Sequence, residues 1–540
     1  MPGAARLLII GLDGATFDLI DPWIAQGRLP HLAALMRQGL RGTLRSTFPP
    51  ATFPAWSSFM TGKNPGKHGI YDFIRLRPER YRLEFTGARS RKGDTIWRLL
   101  SDQGLRVGVM GLPTTYPPEA VNGFMISGFD SPVSTGTDPS FIYPRPLFDE
   151  LRERTGPYLI TDFGQFRIDR RWHSRALEHL QRTLKRKLAI ASYLLQKETW
   201  DLFMVLFGES DTAGHHFWAF HDRHSPRASK RRPDREDLGT AIRTVYQQLD
   251  AAIGELTARR HSNTAVMILS DHGFGGTGDK VLHLNRWLEQ KGYLSFHGSA
   301  GWKRRSASAL GRAGLRWLPL KAQDRLIRHG AGVADRLLSR TRLGAIDWDR
   351  TRAFSTEMNT LPGIWIHLRD RYPRGTVAPG DEYERLRSEL IDELDGLADP
   401  ETGRKVVART HRREDLYHGS CLEEAPDLLP ELNLDRGYSY TCLPTGGRAG
   451  AAAVRRLRPE ERPGAKGGSM NGSHRRDGIF LFAGNGVAGG HRLKELSIMD
   501  VAPTILRFFG LPADRDMDGR VIEEVLPKGI RSTHTAGERA

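Results

Sequence analysis

Thiols are nearly absent from this chain: in 540 residues only Cys421 and Cys442 occur. One pair cannot form a disulfide framework, and no Cys/His cluster has structural-zinc spacing, so disulfide scaffolds and zinc-finger folds are excluded. Long apolar runs are missing too. The stretch RLLIIGL at 6–12 has strand length and is closed by Asp13. It is too short for a secretory h-region and far short of the roughly 20 residues that span a bilayer. No later segment reaches spanning length, and the sequence therefore predicts a cytoplasmic protein. No internal repeat is evident.

Acidic residues are the minority charge, 63 against 80 Lys and Arg, for a net charge of +17. Much of an arginine excess reflects genome base bias, but here it is uneven. Between Lys303 and Arg342 stand eleven Lys and Arg against Asp324 and Asp335, interleaved with Leu310, Leu315, Trp317, Leu318 and Leu320. That pattern predicts one or two basic amphipathic helices within 297–345. They read as a solvated insertion face, with contact to an anionic surface (headgroups or nucleic acid) as the sharper alternative.

What is present is a chain with 39% hydrophobic residues, ample for a large core. Apolar strand-length runs alternate with amphipathic helical stretches. RLLIIGL (6–12), a helix over 17–39, a helix and strand within 93–112, a long helix over 173–197 and WDLFMVLF (200–207) follow one another. A helix at 238–260, the strand NTAVMILS (263–270), a strand within 352–368, a helix at 382–397, GIFLFAG (478–484) and a helix at 497–511 complete the series. Continuous apolar strands alternating with helices argue for an α/β core around a buried, mostly parallel sheet. The Pro-, Gly- and Thr-rich stretch 113–170 reads as a loop-built insertion.

The chain is organised around LRSTFPPATFPAWSSFMTG at 44–62. A helix opening near Ala55, with Pro54 in its first turn, presents the Thr52 hydroxyl at the positive end of the helix dipole. A threonine hydroxyl is a poor nucleophile until a metal ion or base activates it. Three strands end in groups able to hold a metal ion: Asp13 after the first, Asp211 after the second, and the pair Asp271–His272 after the third. His215 lies four residues beyond Asp211, so one helical turn places both on one face. His474 precedes the strand at 478–484. A strand-end Asp is more often an N-cap and a lone His more often an ordinary surface or core group. The set gains meaning from its shared place at one sheet edge, where open α/β sheets bind ligands. Mixed Asp/His donors suit zinc, manganese or iron, and paired ions suit displacement at phosphorus.

The segments LLIIGLDG, TFPAWSSFMTGKNPGKHGI, ESDTAGHHFW, MILSDHGFG, and GSHRRDGIFLFAGNGV followed by MDVAPTIL occur in this order. Together they resemble the alkaline phosphatase superfamily, on its nucleotide pyrophosphatase/phosphodiesterase branch, from residue 6 to about 525. The resemblance implies a three-layer core with a mostly parallel central sheet, assigned to 1–275 and 351–525. A basic helical insertion at 276–350 and a flexible tail at 526–540 complete the expected organisation. It implies a hydrolase of phosphodiesters, nucleotides or phosphomonoesters using two divalent ions, zinc first with manganese or iron as alternatives. Asp211, His215 and His474 would hold one ion. Asp13, Asp271 and His272 would hold the other, with Thr52 bridging to it as the nucleophile that forms a covalent phospho-enzyme.

The chain departs from the family pattern near Phe73, where relatives carry a phosphate-binding Asn. Lys63, Asn64 and Lys67 are the nearby substitutes for phosphate contact. Ala55 replaces an Asn found in many relatives, and His491 is a rival to His474 as the last ligand. Neither cysteine lies in the C/S-x-P-x-R motif of sulfatases. Two other readings stay open: phosphotransfer to an acceptor other than water, as in mutases, and a non-catalytic anion-binding protein using the basic insertion.

Overall fold

The computed structural model describes residues 6–128, 138–159, 171–228, 236–297, 331–445, 451–458, 461, 470–484, 486–487 and 489–526. The basic stretch from Lys303 to Arg328, half of the Gly- and Arg-rich loop at 444–473 and the tail after 526 lie outside these residues. Strand β1 (Arg6–Leu12) is buried from Leu7 onward. Its side chains alternate between two cores, as a strand covered on both faces requires. Leu8, Ile10 and Leu12 face α1 (Phe17–Ala25), α2 (Pro30–Gln38), α4 (Trp172–Lys197), α5 (Glu209–His221) and α6 (Ala241–Ala258). Leu7 and Ile9 face α3 (Thr52–Thr61), the helix Ile96–Asp102 and α7 (Val501–Phe508). The result is three layers, helices on both faces of a sheet.

The central sheet uses β1 with β2 (Leu40–Arg45), β3 (Val107–Met110), β4 (Gly123–Ile126), β5 (Ile142–Tyr143), β6 (Leu202–Phe207) and β7 (Thr264–Leu269). Beyond the long β8 (Gly273–Leu282) and the short β9 (Gly472–Arg475), the chain returns to it with β10 (Asp477–Ala483) and β11 (Leu496–Ser497). Its nine strands run β11-β2-β10-β7-β1-β6-β3-β4-β5. The run β7-β1-β6-β3-β4 is parallel, while β10 pairs antiparallel with β7 and β2. The carboxyl ends of β1, β6 and β7 therefore lie side by side at mid-sheet. That edge carries Asp13, Asp211 and Asp271.

Three details differ from the sequence reading. The helix expected over 17–39 is two: α1 ends at Ala25, Gly27 takes φ +69°, and Pro30 opens α2 at a position where its missing N–H costs nothing. Within 113–170, β4 and β5 extend the central sheet and Leu147–Thr155 is helical, so this stretch is not built of loops alone. Strands of four and two residues are too short to leave a periodic signal. Residues 353–432 supply a separate antiparallel sheet (Ala353–Ser355, Ile364–Ile366, Leu428–Leu432, Val407–Arg412) over its own core, instead of extending the central one. Among the described residues no helix is long and apolar enough to cross a membrane.

Candidate active site

Asp13 follows β1 directly, and its backbone N–H continues the ladder to Phe207 O at 3.0 Å. Beside it α3 begins at Thr52, after Ala51 in extended conformation, and stops at Gly62 in the left-handed region. Trp56, one turn into α3, donates from Nε1 to Asp13 Oδ2 at 3.2 Å. Helix α5 starts just after β6, so Asp211 and His215 share a face. His215 Nε2 lies 3.3 Å from Asp211 Oδ1. His474, on β9, brings its Nε2 to 3.3 Å from the same oxygen and 3.0 Å from His215 Nε2. Asp271 and His272 follow β7. His272 Nε2 is 3.3 Å from Asp271 Oδ2, 3.5 Å from Asp13 Oδ1 and 3.3 Å from Thr52 Oγ1.

The three imidazoles are held the same way. Nδ1 faces a backbone carbonyl in each: Gly472 O for His215 at 2.8 Å, Gly273 O for His272 at 3.0 Å, and Pro50 O for His474 at 2.9 Å. A carbonyl only accepts, so Nδ1 carries the proton and each Nε2 turns its lone pair into the cluster. Facing them are Asp13 Oδ1, Asp211 Oδ1 and Asp271 Oδ2, buried carboxylate oxygens that accept no hydrogen bond. Lone pairs meeting lone pairs at these distances repel unless a cation lies among them. The donors form two groups, Asp211 with His215 and His474, and Asp13 with Asp211 and His272. They fit divalent ions. Asp211 belongs to both groups, a sharing that the expected division into two separate ligand sets does not contain.

The electrostatics tell the same story. Burial, then the Asp211 charge, pushes Asp13 well above the usual carboxylate range. Burial with the Asp13 and Asp211 charges does the same to Asp271. Asp211 moves the other way: against burial, His215 and His474 hold it well below that range. Burial and the neighbouring His474 push His272 down, which keeps it neutral. Three carboxylates packed this closely need positive charge to be ionised together.

Lys63, Asn64 and Lys67 do not join this cluster. Asp518 accepts from Asn64 N–H and Nδ2, both at 2.8 Å, and from Lys67 Nζ at 2.6 Å, while Lys63 Nζ pairs with Asp516. Their partners sit in a segment some 450 residues away in sequence, which no local pattern could reveal. His491 is exposed, and its carbonyl accepts from Arg41 N–H. Where the missing Asn was expected, the Phe73 ring packs on Phe53 with centroids 4.2 Å apart. Trp56 stands within the TFPAW motif, and the sequence alone gives it no role. Its signal is the helical spacing from Thr52, which puts both on one face of α3. A cavity of about 890 Å³ meets the cluster, with Asp13, Thr52, Asp211, His215 and His474 among its lining residues.

Solved structures share this architecture. Human ectonucleotide pyrophosphatase / phosphodiesterase 5 aligns at 13% identity and a TM-score of 0.50, covering 95% of this chain and 97% of that one. An inactive variant of its murine counterpart in complex with AMP aligns at 11% and 0.50, covering 94% and 96%. Phosphonoacetate hydrolase from Sinorhizobium meliloti 1021 in complex with phosphonoformate aligns at 13% and 0.51, covering 92% and 94%. At such identities the likeness speaks for the fold. No curated protein matches the sequence. The family described as type I phosphodiesterase / nucleotide pyrophosphatase, however, matches residues 7–441. The chain belongs to that family and is a phosphoester hydrolase.

Proposed function

We propose that this enzyme cleaves phosphate esters through attack of Thr52 Oγ1 on phosphorus, at a site for two divalent ions. The observation that carries the reading is the convergence of one hydroxyl, three imidazole Nε2 atoms and three unbonded carboxylate oxygens in one cluster, of which Asp13, Thr52, Asp211, His215 and His474 line a cavity. Asp211, His215 and His474 would hold one ion, and Asp13, Asp271 and His272 the other, beside Thr52. The mixed oxygen and nitrogen donors favour zinc, with manganese or iron as alternatives. Bound there, divalent ions polarise phosphoryl oxygens and lower the pKa of the hydroxyl groups next to them.

Thr52 is the first residue of α3, so an approaching phosphoryl group meets the positive end of a ten-residue helix. Burial of Thr52 and Asp13 excludes bulk water, which strengthens each of these interactions. Thr52 Oγ1 bonds to phosphorus while the bond to the leaving oxygen breaks, and the proton lost from Oγ1 is, in the net balance, the one the leaving oxygen takes up to depart as the alcohol. In the second step water attacks the phosphothreonine, its oxygen stays on phosphorus, one of its protons returns to Thr52 Oγ1, and phosphate leaves from a monoester substrate or a phosphate monoester from a diester. The backbone carbonyls of Pro50, Gly472 and Gly273 hold the three rings in place throughout. The family's description and the AMP held by the murine relative make nucleotide esters the reference class against which other substituents are compared.

The test is turnover of an aryl phosphate diester and the matching monoester by zinc- or manganese-loaded protein, beside Thr52→Ala. The variant is expected to lose about 10³-fold or more in kcat. Acid quenching of the wild type should trap a phosphoryl group on Thr52, readable by peptide mass spectrometry. Wild-type turnover by Thr52→Ala would overturn the mechanism.

A further inference from the structure

Resting on the phosphoester reading above, we infer that the group esterified to the substrate phosphate is a long apolar chain. The reacting phosphorus must sit at Thr52, so its substituent runs along the cavity that opens there. That wall carries Phe48, Phe73, Phe85, Met358, Leu432 and Leu434. Among the described residues, the two large apolar side chains left exposed are Phe85, at 59%, and Leu434, at 45%. Both line this cavity, although each costs free energy in water.

Several polar groups beside them are turned towards protein, while Glu431, Arg475 and Arg476 line other parts of the cavity. Thr360 Oγ1 donates to Asp72 at 2.5 Å, and Asn359 Oδ1 accepts from Cys442 N–H at 2.9 Å. The Glu357 carboxylate accepts from the Asn285 and Thr445 N–H groups. Arg342 Nη1 donates to the Thr356 and Glu357 carbonyls. A nucleobase needs fixed partners for its hydrogen-bonding edge, whereas an alkyl chain needs only apolar wall and length. About 890 Å³ gives such a chain room beyond the phosphate.

The experiment titrates zinc-loaded Thr52→Ala protein with ethyl, hexyl and dodecyl phosphate below their micelle concentrations, and with AMP, by calorimetry. Affinity should climb along the series, by up to roughly fourfold for each methylene that enters the cavity. The dodecyl-to-ethyl ratio should collapse in a protein that also carries Phe85→Ser and Leu434→Ser, with thermal unfolding confirming its fold. A flat chain-length series in the protein with the wild-type wall, or AMP binding more tightly than dodecyl phosphate, would overturn the inference. Zinc-dependent binding of ethyl phosphate reads the phosphate end by itself. Failure there counts against the phosphoester site, whereas a flat series counts against the apolar chain alone.

Discussion

His474 and His491 both lie late in the chain near glycines, and their surroundings separate them. His474 has Pro50 O behind Nδ1 and Asp211 in front of Nε2, whereas the His491 side chain is exposed. Under the proposed two-ion site, His474→Ala should therefore weaken one of the two binding steps by tenfold or more, roughly the scale of lost ligand support. His491→Ala should bind metal as the wild type does, and zinc titration of both proteins checks this. Trp56→Phe removes the hydrogen bond to Asp13 while keeping an aromatic ring in the core. About a tenfold loss of metal affinity is expected, with a smaller change in unfolding temperature. The aspartates and the DTAGH spacing were legible in the sequence. The carbonyls of Pro50, Gly472 and Gly273 were not, because every residue has a carbonyl and only folding decides which one faces an imidazole.

The meeting of α5 with β9 brings His215 and His474 together, and glycines permit it. A Cβ on Gly472 would fall 2.5 Å from Gly214 O and 2.3 Å from the Phe274 ring. Backbone cannot yield cheaply at such distances. Gly472→Ala should push the helix and the strand apart, costing about 1–3 kcal/mol of stability and weakening metal binding at the site proposed for Asp211, His215 and His474. Thermal unfolding and metal titration read the two effects separately. A variant that binds both metal equivalents as before would show that this close approach does not set the ligand geometry. Strand β9, four residues long, leaves no trace in the sequence, since it has no apolar period of its own.

Over the whole molecule, the loop carrying Lys63, Asn64 and Lys67 ties the end of α3 to Asp514, Asp516 and Asp518 near the far end of the described chain. Burial pushes Asp518 up, but hydrogen bonds from Lys67, Asn64 and His418 outweigh it and hold its pKa at about 2. A carboxylate depressed in the folded state stabilises it above the unfolded pKa of about 4. That contribution is lost as pH falls through about 2. Asp518→Asn should accordingly unfold at lower temperature than wild type at neutral pH, with the gap closing between about pH 4 and pH 2. A gap independent of pH would show that the carboxylate charge is not what holds the loop.

The family, the α/β alternation and the candidate metal donors can all be read from the string of residues. Those properties follow from residue type and local period, and they survive in a string of letters. Tertiary structure decided the rest. Asp13, Asp211 and Asp271 became neighbours only because β1 pairs with both β6 and β7, so three carboxyl ends share one edge. Lys63, Asn64 and Lys67, plausible phosphate contacts by position, found carboxylates folded back from the C-terminal segment. Phe85 and Leu434, in unrelated strands, came to line one cavity. Contacts between residues hundreds of positions apart depend on strand order and packing, which local spacing does not encode.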